Sequence, residues 1–396
     1  MKTVNWFGSD PRTHMVHLGS LGSFISGSGF PHEHQGVEDE EYPFLKVGSL
    51  STAGSDGIVR DDRNTVSEEV ASSLGASVIP ARSILMAKIG EAMRLRRFAV
   101  NEVECCIDNN MMAIVPRTDQ VNCEYLRMAL TLVPIDVLVN PGPVPSLDVQ
   151  GLRMFSIPLP PLETQQRIAD YLDRETAEID AAVTDLDRYV ELLEKRRRRI
   201  IIQGFNDPHY KSALQRLKFL TISEDHRRLP IKSGDRADMA GEHPYYGASG
   251  IIDYVNNYLW DEEERLLLSE DGANLVMRNH PIAFVADGQY WVNNHAHVLK
   301  CLGDTPPELV AMAIEVSSIA HLITGSAQPK LTAAAMGEIE FLFPLGVEDQ
   351  KALLVHLNRE TTEIDSLISE SKKLRDLLLK RRSVLITEVV TGRKQV

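Results

Sequence analysis

"RETAEID" at residues 174–180 and "RETTEID" at residues 359–365 differ at a single position and lie 185 residues apart. Aligned without gaps, they bring Gln165 opposite Gln350, Leu172 opposite Leu357, Leu192-Leu193 opposite Leu377-Leu378, and Lys195-Arg196-Arg197 opposite Lys380-Arg381-Arg382. Upstream, with a shift of one residue, Pro145-x-Leu147 pairs with Pro329-x-Leu331 and Asn109-Asn110 with Asn293-Asn294. Small gaps then place "ILMAKIGEAM" (84–93) opposite "LLLSEDGANL" (266–275). The chain reads as two half-repeats, each a variable body followed by a common segment. Two copies of about 190 residues are too few and too long for a solenoid, which stacks units of roughly 20–50 residues.

The common segment carries a heptad seam. Ile168, Leu172, Glu175, Ile179, Ala182, Leu186, Tyr189, Leu193, Arg196 and Ile200 alternate steps of four and three. Leu353, Leu357, Glu360, Ile364, Leu367, Ser371, Leu374, Leu378, Arg381 and Leu385 repeat the phase. Each copy therefore predicts one long helix, entered at Pro160-Pro161 and at Pro344 to Gly346, since proline is tolerated at or before the first turn. An antiparallel pairing of the two helices is expected to place the bodies at opposite ends of a rod. Gly204 suits a position just past a helix end, and Asn206-Asp207-Pro208 cannot continue one. The expected organisation is a first body over 1–160, a first helix over 161–204, a linker over 205–213, a second body over 214–344 and a second helix over 345–396.

Both bodies mix short β-type runs ("FLKVGSL", "IAFVADGQYWV", "HVLKCL") with helical ones ("CEYLRMALTL", "PELVAMAIEVSSIAHLI"), an α+β pattern. The opening MKTVNWFGSDPR holds no apolar leader, and no run approaches the roughly 18 apolar residues of a membrane helix, so a cytoplasmic location is expected. Four cysteines without a CxxC spacing point to neither a zinc site nor a disulfide framework. A net charge of −14 argues against a simple nucleic-acid binder, because phosphate neutralisation rests on Lys and Arg.

The sequence offers no GxGxxG between strand and helix, no GxxxxGK[ST], and no nucleophile motif, so no cofactor and no catalytic residues are expected. His295 and His297 in "NNHAHV" share a strand face, yet lack acidic or cysteine partners at metal-ligand spacing. The run "EKRRRRIII" (194–202) fits a helix C-terminus, where cations are favoured, and also a phosphate contact. Lys88 with Arg94, Arg96 and Arg97 forms the best basic cluster of the first body. Asn274, Arg278 and Asn279 occupy the matching place in the second. Such side chains read bases and hold phosphates, and they also populate ordinary surfaces.

"PLPPLETQQRIADYLDRETAEID" with its second copy, "GPVPSL", "CIDNNM", "YYGASGIIDYV", "SEDGANL" and "WVNNHAHVLK" together resemble the specificity subunit of type I restriction-modification systems over nearly the whole chain. The resemblance implies two target-recognition domains of mixed α/β structure, each reading half of a bipartite DNA site, separated by two long antiparallel coiled-coil helices in a pseudo-twofold repeat. It also implies a non-catalytic chain whose partners are adenine methyltransferase (modification) subunits and ATP-dependent restriction subunits. The second entry, "FPLGVEDQKALLVHL", departs from the proline-rich first. A coiled-coil scaffold without DNA explains the acidity and the heptads, but not two divergent bodies beside two matched helices.

Overall fold

The computed structural model describes Val4, Gly8 and residues 10–54, 56–325 and 328–396. Most of MKTVNWFGSDPR, on which the expected lack of a leader rests, lies outside the described residues. Among those described, no helix is long and apolar enough to cross a membrane. The fold is α+β, and it divides into two compact units: Met1–Asp187 with Lys372–Val396, and Arg188–Ser371.

In the first unit a five-stranded sheet runs in the order Gly22–Ser26, Met111–Pro116, Ile84–Ala87, Ala99–Asn101, Ile58–Val59. A three-stranded sheet orders Thr65–Val66, Tyr42–Leu45, Cys106–Ile107, with the last pair parallel. Helix Cys123–Leu130 packs its apolar residues into the same core as the larger sheet. The body is closed where its first strand, His14–His17, pairs antiparallel with its last, Ser156–Leu159.

The second unit repeats this plan. Thr221–Ser223, Ala296–Cys301, Arg265–Ser269 and Ala283–Ala286 form a sheet in the matching order. Gly250–Val255, Ala240–Gly247 and Trp291–Val292 form a three-stranded sheet that again ends in a parallel pair. Helix Pro307–Val316 takes the place of Cys123–Leu130, covering the first part of the expected run and ending before Ser317. Ser212–Arg216 pairs with Glu340–Pro344 to close the body.

The long helices are Leu162–Phe205 and Val347–Val390. Within the first unit, Asp180 meets Arg382 and Asp187 meets Arg375, an antiparallel order. Within the second, Arg197 meets Asp365 and Gly204 lies against Leu357, again antiparallel. The buried seam is rotated by one residue at alternate positions from the expected one. Thr176 and Thr361 are buried in place of Glu175 and Glu360, and Val190 in place of Tyr189, which is 43% exposed. A carboxylate resists burial without a partner, whereas a β-branched threonine hydroxyl can return to its own helix backbone, as Thr361 Oγ1 does to Leu357 O at 2.9 Å. Arg197 and Arg382, not Arg196 and Arg381, then face the opposite helix, where Asp365 and Asp180 receive them.

Gly204 is not an end cap. The helix continues through Phe205, and a Cβ at 204 would sit 2.7 Å from Leu357 Cδ2. The glycine is there for close approach, while Val389 fills the matching place in the other copy and is buried with Ile168 and Leu172.

The repeated glutamines show how one substitution propagates. Gln165 Nε2 donates to Pro160 O (2.7 Å) and Gln120 O (3.1 Å), and its Oε1 accepts from the N–H of Asn122, the residue that caps helix Cys123–Leu130. Gln350 Nε2 donates to Pro344 O (2.9 Å), but its buried Oε1 has no partner among the described residues. The cap of the matching helix is Pro306, which has no N–H to give. Gln165→Ala is therefore expected to destabilise by ~1–2 kcal/mol, since it strands the half-buried Asn122 donor, and Gln350→Ala by under ~1 kcal/mol. Chemical denaturation of the two variants checks the order; equal losses would refute it.

In the second body Glu224 accepts from Arg265, Trp260 Nε1–H and Arg227. Burial alone would raise its pKa, but these donors hold it down to about 2. A carboxylate depressed on folding contributes stability that is full above its unfolded pKa of about 4.3 and is lost as pH falls toward the folded value. Glu224→Gln is expected to lower stability at neutral pH and to flatten the acid limb between about pH 4 and pH 2. Acid unfolding followed by circular dichroism tests this, a limb parallel to wild type being the contrary result.

Candidate nucleic-acid interface

Both bodies build the same turn after the same strand. In the first, Ile84–Ala87 leads through Gly90 (φ 80°) into a single helical turn, Glu91–Leu95, ended by Arg96 at φ 50°. In the second, Arg265–Ser269 leads through Gly272 (φ 101°) into Asn274–Met277, ended by Arg278 at φ 53°. A side chain in this left-handed region is uncommon, and its recurrence at matching positions marks a fixed shape.

Three backbone hydrogen bonds anchor each turn. Lys88 N–H donates to Asn110 O (2.8 Å), Leu147 N–H to Lys88 O (2.9 Å) and Gly90 N–H to Pro145 O (2.8 Å). The counterparts are Glu270 N–H to His295 O (2.9 Å), Leu331 N–H to Glu270 O (2.8 Å) and Gly272 N–H to Pro329 O (3.0 Å). The scattered repeats Pro-x-Leu, Asn-Asn and the glycine motif thus converge on one place.

The seven expected contact residues fall on these two turns and the strand end before the first. Arg94 Nη1 and Arg96 Nη2 share Asp136 at 2.9 and 3.2 Å. Arg97 is exposed and Lys88 half-buried, and neither side chain has an acidic partner among the described residues. In the second body both ends of the Asn274 amide are spent on the backbone of His280, stapling the turn. Arg278 reaches Ser317 O and Glu315, whose carboxylate lies at 3.7 Å. Asn279 remains exposed. Pattern reasoning missed the exposed apolar residues at matching positions, Leu95 (59%) and Met277 (67%).

Arg96 also borders a cleft of about 560 Å³ with Thr131, Arg382 and Ser383. In the second unit Arg198, which matches Ser383, donates to the carbonyls of Glu315 and Val316 at the end of Pro307–Val316 (2.8 and 2.9 Å). That part of the "EKRRRRIII" run serves as a helix cap.

The two histidines differ in setting. His295 is exposed and lies 2.9 Å from Asp271. His297 is buried and faces Asp225 and Glu270, partners from distant sequence that spacing did not reveal. The three could surround a cation by position alone. However, His297 Nδ1 is 2.6 Å from Asp225 Oδ2 and Nε2 is 2.9 Å from Leu331 O, so both ring nitrogens already face hydrogen-bond acceptors.

Residues 13–185 and 219–365 match the family described as type I restriction modification DNA specificity domain. The chain belongs to this family, whose work is recognition of DNA sequence and whose specificity subunits are in general not catalytic. A putative type I restriction enzyme specificity subunit of Haemophilus influenzae is 33% identical over 117 residues, 30% of this chain and 29% of that one. The EcoR124I/EcoR124II specificity subunit of Escherichia coli is 24% identical over 185 residues, 45% of this chain and 44% of that one. The chain thus matches less than half the length of either relative. In fold it is similar to a chain solved in work on complex assembly and conformational transition of the type I R-M system, with a TM-score of 0.54 at 12% identity, covering 97% of this chain and 99% of that chain.

If the basic cluster meets DNA, Lys88→Ala and Arg97→Ala should each lower the salt slope of binding by about one, with a smaller change for Arg94→Ala or Arg96→Ala, whose charges Asp136 already offsets. Affinity measured across a salt series for the chain with its modification partner decides. Unchanged slopes for Lys88 and Arg97 would make the cluster solvated surface.

Proposed function

We propose that the chain is the DNA-recognition subunit of a type I restriction-modification complex. The first body (1–160) and the second (214–344) each read one half of a bipartite site. The long helices (161–204 and 345–396, with a linker at 205–213) set the spacer and dock adenine methyltransferase subunits, and restriction subunits join the same assembly. Lys88, Arg94, Arg96, Arg97, Asn274, Arg278 and Asn279 line the surfaces that approach DNA. The chain itself transfers no methyl group and needs no cofactor.

The observation that carries this reading is one arginine turn on one backbone scaffold, presented twice with different exposed residues: Arg94, Leu95 and Arg97 in one body, Val276, Met277 and Asn279 in the other. A shared frame with varied tips suits two different half-sites. Base contacts specify while phosphate contacts position. A scaffold without DNA gives no reason for either turn. Exposed apolar pairs on the long helices, Tyr189 with Leu192 and, one repeat on, Leu374 with Leu377, suit docking of partner helices.

Inserting one in-phase heptad into both helices, between Asp180 and Ala181 and between Asp365 and Ser366, keeps Asp180 opposite Arg382 and Arg197 opposite Asp365, and adds roughly 10 Å. That corresponds to roughly three base pairs. Methylome sequencing of cells carrying the lengthened subunit and its modification partner should show unchanged half-sites with a longer spacer. Full activity at the original spacing would rule out the ruler, and methylation without any bipartite motif would rule out the reading as a whole.

A further inference from the structure

The backbone scaffold of the arginine turn is common to both bodies, but the side chains beneath it are not. Strand register aligns His297 with Met112, and the shared backbone bonds align Glu270 with Lys88. The first body therefore has a buried methionine and a half-buried lysine at these places, and no carboxylate. The second has a charge network around a buried imidazole.

Buried in the strand Ala296–Cys301, His297 is surrounded by charged groups from every neighbouring segment. Asp225 lies at 2.6 Å and Glu270 at 3.7 Å. Arg228 reaches Glu270 (2.5 Å) and Asp225 (3.4 Å), and Lys330 reaches Glu270 (3.1 Å). The other ring nitrogen points at Leu331 O, a carbonyl that can accept but not donate, so Nε2 carries a proton. Nδ1 faces an oxygen of Asp225, whose second oxygen already accepts from Val298 N–H. A lone pair on Nδ1 would be set against the carboxylate, so Nδ1 carries a proton as well. Burial opposes the charge of Asp225, but the hydrogen bonds from His297 and Val298 outweigh it and keep the carboxyl ionised.

We infer that His297 is an imidazolium that positions the arginine turn of the second body, and of that body alone. The linkage is short. His297 holds the carbonyl of Leu331, the N–H of Leu331 holds Glu270 O, and Pro329 two residues earlier holds Gly272 N–H, from which the turn of Asn274, Arg278 and Asn279 begins. The ring contacts no DNA in this role; it fixes where the DNA-facing residues stand. The inference rests on the proposed DNA reading.

The test has two arms. Nitrogen-15 NMR of histidine-labelled full-length chain near neutral pH, with His297 assigned by the signals missing from His297→Gln, should show both of its ring nitrogens protonated. One unprotonated nitrogen overturns the inference. In the second arm, the chain with its modification partner is titrated with duplexes carrying the methylome-defined site, intact or scrambled in one half. His297→Gln should weaken recognition of the second half-site about tenfold while leaving the first unchanged, because the glutamine carbonyl must face either Asp225 or Leu331 O. Adding Asp225→Asn supplies a donor to that carbonyl and should restore part of the loss, which a purely volumetric defect would not do. Equal weakening of both half-sites, or no rescue, removes the positioning role. A wild-type complex with no preference for the site overturns the DNA reading and the positioning role with it, whereas the proton count on the ring is read independently.

Discussion

An aspartate closing a heptapeptide meets an arginine from the other long helix, once in each unit, and the register fixed by that contact is what the repeat depends on. Asp180 with Arg382 and Arg197 with Asp365 are the same contact made in opposite directions, and all four residues obey the 185-residue offset. The pairs are partly exposed, and such ion pairs contribute little net stability. Their importance lies in selection: a helix slipped by one residue would set Arg382 against Ile179 or Ala181 and Arg197 against Ile364 or Ser366, where no carboxylate waits. The heptapeptide occurs twice because an antiparallel seam needs each helix to supply both ends of the contact.

From that register the differences between the units become intelligible. Pro306 stands where Asn122 caps a helix, so Gln350 loses the donor that Gln165 enjoys. Ser383 stands where Arg198 caps one, and a cleft opens in its place. Glu270 with its cations stands where Lys88 has no acidic partner among the described residues. The acidity of the whole chain is therefore a poor guide to the turns, since charge is offset locally at Asp136 and Glu315 and, among the described residues, meets no carboxylate at Lys88 and Arg97.

Much of this was legible in the sequence. The internal repeat, both long helices, the α+β bodies and the match between "ILMAKIGEAM" and "LLLSEDGANL" follow from periodicity and alignment, because helix period and motif order are local properties. The exact seam was not, since heptad counting placed Glu175 and Tyr189 inward, and choosing between them and Thr176 and Val190 needs the partner helix. Gly204 looked like a cap because its reason for being glycine, Leu357, lies in the other copy. The charge network around His297 was invisible for the same reason, as Asp225 comes from another strand end. Motif spacing sees ligands that share an element; it does not see those a sheet brings together.

The first unit borrows its last segment from the far end of the chain. Lys372–Val396 belongs with Met1–Asp187, and Ile386, Val389 and Val390 lie in its hydrophobic core. During synthesis from the N-terminus, the second unit has all its residues in hand while the first still lacks one wall. The order of completion is thus reversed with respect to the order of translation. The N-terminal body, first to leave the ribosome, is the last to be sealed, and a ribosome that stops early leaves its defect at the opposite end of the sequence from the missing residues.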